Sequence, residues 1–314
     1  MLVPIAINCL RIQNKGERMN EDKFPGHKFL PYLLIAPSII VIFVFLIIPF
    51  AQSIRESFYM SSPFGTHSIF VGLRNYVRLF TSADYRSSVL TTFKFSAFVI
   101  VAGLGVSLGI AQLLNQKIKG VGFYQISLIW TYAISPTVAG VIWASMFAPA
   151  TGLVPYIVSK ISGYSLNWMT NGNLALLIVA TAATWKMLGY NIVFFLAGLQ
   201  NVPEEFLEAA QIDGAGSWKA FWKITFPLLS PTTSFLLFVN MLYAFFQVFG
   251  LIDIMTKGGP GNATELLVYK LYRDGFIHLN TGFASAQSFV IFFVISIVAI
   301  FQLRIATRKS IYSR

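Results

Sequence analysis

Pro203-Glu204-Glu205-Phe206-Leu207-Glu208-Ala209-Ala210-Gln211-Ile212-Asp213-Gly214-Ala215-Gly216, followed at once by Ser217-Trp218-Lys219-Ala220-Phe221-Trp222-Lys223-Ile224-Thr225-Phe226-Pro227, is a polar stretch enclosed by two long apolar runs. A flexible connector would be rich in Gly and Ser without periodicity. Here the spacing predicts two short amphipathic helices around a glycine turn. Pro203 suits a first helical turn, and Glu204 and Glu205 suit its positive dipole end. Phe206, Ala209 and Ala210 fall on one face, with Glu204, Glu208 and Gln211 on another. Gly214 and Gly216 stop the first helix. Ser217 is the expected cap of the second, which places Trp218, Phe221 and Trp222 opposite Lys219 and Lys223 and ends at Pro227. Such an element is built to dock on something.

The surroundings place it beside a membrane. Of the 314 residues, 56% are hydrophobic and only 11% charged, against roughly 25% charged in soluble domains. Six apolar runs are long enough to cross about 30 Å of hydrocarbon as helix: Leu30 to Gln52, Val89 to Leu114, Val121 to Phe147, Asn173 to Leu199, Leu228 to Ile252 and Ala284 to Ile305. The short alternating segments of a β-barrel are missing. The expectation is an all-α integral membrane domain over 29–306, with a helical loop at 200–227 and short tails at 1–28 and 307–314. Met1 to Leu10 is apolar but too short to span, and Met19 is an alternative start.

Basic residues near span ends stay on the cytoplasmic side. With the N-terminus inside, 13 of the 23 Lys and Arg residues face the cytoplasm and 8 lie in the longer outer loops, while Lys94 and Lys186 fall inside spans. Both termini and the Glu208 loop are therefore expected in the cytoplasm of a multi-pass plasma-membrane protein. The net charge of +11 reflects this bracketing of spans; the basic patch with interleaved aromatics that nucleic acid would require is lacking. Cys9 is the single cysteine, and His27, His67 and His278 lie in different segments. Neither a metal site nor a catalytic group is expected.

The order Glu208-Ala209-Ala210, three residues, Gly214, nine residues, Ile224, then Pro227 resembles the cytoplasmic coupling loop of permease subunits in binding-protein-dependent ABC importers. Phe226 stands where that family usually has Leu. Phe70-Val-Gly-Leu-Arg-Asn75-Tyr76 and Gly258-Gly-Pro260 with Leu267-Val-Tyr269 resemble outer segments of the carbohydrate-type members. Ser62-Pro-Phe-Gly65, Tyr243-Ala-Phe-Phe246 and Tyr269-Lys-Leu-Tyr-Arg-Asp-Gly-Phe276 make the chain similar, among these, to the permeases for sn-glycerol 3-phosphate. The resemblance implies a six-helix permease of the type I importer fold. It also implies a second homologous permease, a dimer of ATPase subunits and a secreted solute-binding protein as partners. Glu208, Ala209, Ala210, Asp213, Gly214, Ile224 and Pro227 would contact the ATPase. No Gly-x-x-x-x-Gly-Lys-Ser/Thr loop is present, so this chain needs no cofactor of its own, and ATP is spent by the partner.

Polar groups inside a membrane are costly and mark candidate pathways. Asn240, Tyr243 and Gln247 recur at helical spacing on the fifth run, with Phe246 beside them, and members of the resembled family line their solute site with this span. The same residues could instead only hold neighbouring helices together. Lys186, in the middle of the fourth run, is the expected counter-charge for an anionic solute. Permeases for neutral sugars are the nearest alternative function. A stand-alone secondary transporter is the alternative of another class, but it would want intramembrane carboxylates, and the six runs contain no Asp or Glu.

Overall fold

The computed structural model describes residues 30–61, 68–116 and 120–311. The N-terminal tail with Met19, and the Ser62 to Gly65 segment, lie outside the described residues. Two compact units divide the chain after Gln52. The first contains most of helix α1 (Tyr32–Glu56), whose mean hydropathy of 2.9 is the highest of the candidate spans.

The second unit opens with a two-stranded antiparallel ribbon, β1 (Tyr59–Ser61) and β2 (Ser68–Phe70), in which Tyr59 faces Phe70. Next come α2 (Arg74–Thr81) and α3 (Ala83–Leu114). The buried Asn75 donates to the carbonyls of Ser57 and Tyr59 at 2.8 and 3.0 Å, and the Tyr76 hydroxyl lies 2.7 Å from Ser57 Oγ. The Asn-Tyr pair of the outer motif thus pins the end of the ribbon to α2.

The third apolar run does not form the single straight span that its hydropathy predicts. It breaks into α4 (Val121–Ala133) and α5 (Pro136–Met146), which meet at 104°. Pro136 supplies the reason: proline has no N–H to donate and disfavours helix in the residue before it. Ser135 then caps α5, its Oγ accepting from the Val138 N–H at 3.2 Å. After α6 (Leu153–Ser162), the fourth span α7 (Gly172–Gln200) is long and unbroken. The fifth run is interrupted as well. Following the loop helices α8 (Glu204–Ile212) and α9 (Ser217–Leu228), α10 (Ser230–Gln247) leaves α9 at a 68° bend and is succeeded by the short α11 (Phe249–Met255). Counting each bent pair once, up to six spans are present. The outer segment holds α12 (Leu267–Tyr272), and α13 (Thr281–Ile311) closes the chain, helical through residues expected to be tail.

Close packing centres on α7. Gly103 of α3 sits against Thr184 and Asn191 of α7, a small residue at the contact, as is favoured where no hydrophobic drive exists between helices in lipid. A Cβ on Gly189 would lie 2.6 Å from the Leu128 carbonyl oxygen, so glycine is what allows α7 to touch the broken third span.

Candidate functional site

The loop between α7 and α10 forms the predicted pair of short helices. Pro203 is the N-cap of α8, with Glu204 and Glu205 in its first turn. At the other end the Gly214 N–H donates to Gln211 O at 3.0 Å and the Ala215 N–H to Ala210 O at 2.8 Å, with Gly214 at φ +72°. These two bonds are those of a Schellman C-cap, which needs a left-handed residue where Gly214 sits. Gly216 keeps an ordinary backbone. It, and not Ser217, is the N-cap of α9, and Ser217 forms no capping bond.

The buried side of α8 differs from the periodicity-based expectation. Ala210 is buried and Leu207 half-buried, while Phe206 and Ala209 are exposed together with Glu208 and Asp213. The helix therefore turns Leu207 and Ala210 inward and presents an outer face of Phe206, Glu208, Ala209 and Ile212. Ile212 is 87% exposed. In α9, Ile224 is half-buried, whereas Trp218, Trp222 and Pro227 are exposed. The helix ends one residue after Pro227.

The membrane-embedded candidates separate into two environments. The backbone of Tyr243–Gln247 forms a wider π turn, which adds a residue to the turn and breaks the expected stripe. Asn240 and Tyr243 are buried, at 0 and 2% exposure, while Phe246 and Gln247 are exposed. Asn240 and Asn191 of α7 exchange side-chain hydrogen bonds of 2.7 and 3.1 Å, beside Gly103 of α3. The Asn240 amide is thus occupied in holding three helices together.

Lys186 is 5% exposed, and its Nζ donates to the Tyr132 carbonyl at 3.2 Å while lying 5.3 Å from the Tyr132 ring centre. Tyr132 sits in the last turn of α4, where helical carbonyls lack partners of their own. A cation is favoured at that end of a helix, so Lys186 closes the break in the third span. Tyr190, one turn beyond Lys186, packs on the Tyr132 ring at 5.0 Å. Neither tyrosine stands out in the sequence, because nothing in the chain's periodicity announces the break that brings them together.

A second charged group is missed by the sequence reading. In the outer segment, Glu265 is 1% exposed and pairs with Arg273 at 2.6 Å. Lys270 is buried between Glu265 at 3.9 Å and Asp274 at 3.7 Å. Asp274 also accepts from Gln287 of α13 at 2.6 Å, and Ser88 of α3 donates to Glu265 at 3.4 Å. Burial pushes the Glu265 carboxyl above its usual range, against the pull of Lys270 and Arg273. The segment after Thr264 therefore locks into the ends of α3 and α13. The i,i+4 spacing of Lys270 and Asp274 was the available signal. Among the described residues no group of three or more His, Cys, Asp or Glu could hold a metal.

Residues 131–311 match the family described as "Binding-protein-dependent transport system inner membrane component". Over 294 residues the chain is 43% identical to the sn-glycerol-3-phosphate transport system permease protein UgpA of Rhizobium meliloti (strain 1021), covering 94% of this chain and all of that one. The UgpA of Shigella flexneri is 43% identical over 285 residues, 91% of this chain and 96% of its own. Two solved structures share the fold at 21% identity. One is a bacterial ABC transporter involved in import of the acidic polysaccharide alginate, with TM-score 0.77 over 89% of this chain and 96% of that one. The other is an alginate transporter in complex with its pentasaccharide-bound periplasmic protein, with TM-score 0.76 over 89 and 94%.

Proposed function

As the chain belongs to the family of binding-protein-dependent transport system inner membrane components, we propose that it forms one half of the membrane pathway of an ATP-driven importer for sn-glycerol 3-phosphate or its diesters. The exposed face of α8 carries this assignment. A helix that shows Phe206, Glu208, Ala209 and an 87% exposed Ile212 between membrane spans is unfinished until something covers it, and a cleft in an ATPase subunit has the shape to do so. With that loop in the cytoplasm, both termini lie inside. Nucleotide hydrolysis belongs to a pair of ATPase subunits, a second permease completes the pathway, and a solute-binding protein delivers the cargo from outside.

Support for a phosphorylated solute comes from its sn-glycerol-3-phosphate relatives and from Lys186. An anion in a low-dielectric passage needs a counter-charge. Lys186 has three N–H donors, and Tyr132 O takes one in the described contacts. The break of the third span, with the Tyr132 ring beside the ammonium and Tyr190 packed on that ring, is where we place the solute's phosphate; discontinuous helices build such sites in other transporters. Phe246 and Gln247, on the exposed side of α10, line the passage in the same proposal.

Glu208→Lys reverses the charge on the docking face. The expected result is loss of ATPase co-purification with normal membrane insertion; normal ATPase yield would refute the docking role. Uptake of radiolabelled glycerol 3-phosphate by the reconstituted complex tests the cargo, and uptake of a neutral disaccharide in its place would overturn it.

A further inference from the structure

Where α3 begins, a pocket of about 300 Å³ lies among α2, α3, α10, α12 and α13, and none of the assigned roles uses it. One end is apolar. Phe93 of α3 and Phe245 of α10 meet edge to face at 5.9 Å, with Leu267, Ile291 and Val294 around them. The other end carries Arg86, the one charged residue among the described lining residues. Arg86, Val89 and Phe93 share a face of α3 at helical spacing, so the cation stands about 10 Å along the helix from Phe93. Arg78 is engaged over the Phe283 ring and Arg273 with Glu265, whereas Arg86 makes no ion pair or ring contact among the described residues. Beside it, α2 buries Asn75 and Leu79 and exposes Leu73, Val77 and Phe80 together with Arg74 and Arg78. Phe80 also lines the pocket. From 74 to 86 stand three arginines and a single carboxylate, Asp84.

We infer that this pocket holds an acyl chain of one membrane phospholipid, whose phosphate sits on Arg86. Three features select that occupant. The pocket is polarised along the span, with a cation at one end and hydrocarbon at the other, as a phospholipid is. An exposed apolar ridge flanked by arginines is the pattern of a helix lying in the membrane interface, so α2 sets the Arg86 end at headgroup level. The free guanidinium is complementary to the phosphodiester that zwitterionic and anionic phospholipids share, so no net charge on the lipid is required. A helix from another subunit would press apolar surface onto the cation or need a carboxylate within its span, and both are costly. Phe245 belongs to the wide turn of α10 and Leu267 opens α12, so the bound chain braces the outer segment against the bundle. Which leaflet supplies the lipid rests on the proposed orientation; its chemistry does not.

The test uses the complete transporter in nanodiscs, photolysed with phosphatidylethanolamine that carries a diazirine on its acyl chain, and labelled residues are mapped by mass spectrometry. Label is expected on α3 near Phe93 and on α13 near Val294. Excess unlabelled phosphatidylethanolamine should displace it, and glycerol 3-phosphate should not. Val294→Trp, which fills the pocket, should remove the label. Arg86→Gln, a change at an exposed side chain, should weaken phosphatidylethanolamine about fivefold through loss of one basic contact. The same variant should leave the weaker binding of diacylglycerol, which lacks the phosphate, unchanged. Label spread evenly over the apolar helix surfaces would overturn the inference, as would displacement by glycerol 3-phosphate or equal affinity of the wild type for the two lipids. A Val294→Cys variant that cross-links to another subunit would overturn it too, in favour of a protein helix. An inverted topology would move the site to the other leaflet without emptying it.

Discussion

At Gly214 the constraint is purely conformational. A Cβ there would touch nothing within 4 Å, yet the backbone is left-handed at φ +72°, which costs an ordinary residue about 1–2 kcal/mol and a β-branched one more. Gly214→Val is therefore expected to unwind the Schellman cap and cut ATP-coupled uptake without reducing the amount of chain in the membrane; wild-type uptake would contradict this. Lys186 is constrained differently, by the carbonyl it holds. In Lys186→Met, Tyr132 O at the open end of α4 loses its donor, so the break in the third span should be held less firmly. Two measurements separate its structural and solute-facing duties. A lower yield of assembled complex reports the first, and reduced glycerol 3-phosphate uptake per assembled complex reports the second. Unchanged uptake per complex removes Lys186 from the passage.

Between helices, the Asn191 and Asn240 pair offers a cleaner comparison. Asn240→Leu leaves the Asn191 amide facing apolar neighbours and should destabilise the detergent-solubilised protein by roughly 1–2 kcal/mol. Asn191→Leu combined with Asn240→Leu removes both polar groups and should cost less than the single change; thermal unfolding of the three variants decides. The same pair shows what the sequence could and could not convey. Hydropathy located the apolar segments behind up to six spans, because about 20 apolar residues are needed to cross a bilayer whatever their partners, but not the breaks in the third and fifth. Glycine and acidic residues located the ends of α8, because capping is local chemistry. Pairings across the bundle were hidden. Asn240 looks like a pathway residue from its spacing, and only the π turn after it reveals that Gln247 leaves the stripe while Tyr243 stays buried with Asn240. Lys186 reads as an isolated cation until Pro136 is seen to end α4 against it. Glu265 and Arg273 read as loop charges, since their burial depends on where the ends of α3 and α13 come together.

For the whole molecule, sidedness is the property that unites these elements. Cys9 is the only native cysteine, so Cys9→Ser gives a background for single-cysteine labelling. A cysteine at Gln211 should react with an impermeant maleimide only after the membrane is opened, and one at Lys160 should react in intact spheroplasts. Reversed accessibility would invert the proposed orientation. The break in the third span also dictates an order of assembly. Helix α4 has 13 residues, about 20 Å at 1.5 Å each, and cannot cross 30 Å of hydrocarbon by itself. Frayed carbonyls exposed to lipid are expensive, and their donor, Lys186, is synthesised some fifty residues after Tyr132. Pro136 interrupts a newly inserted third segment whatever follows it, and the carbonyls freed at the break gain the Lys186 donor only when the fourth segment arrives beside it. The fourth segment in turn carries a cation costing about 2.5–3.5 kcal/mol at the centre of the membrane, which the Tyr132 carbonyl helps to offset. Each segment thus completes the other's insertion, and the capture of the broken end by Lys186 is a late step in the protein's biogenesis that a chain truncated before Lys186 should never take.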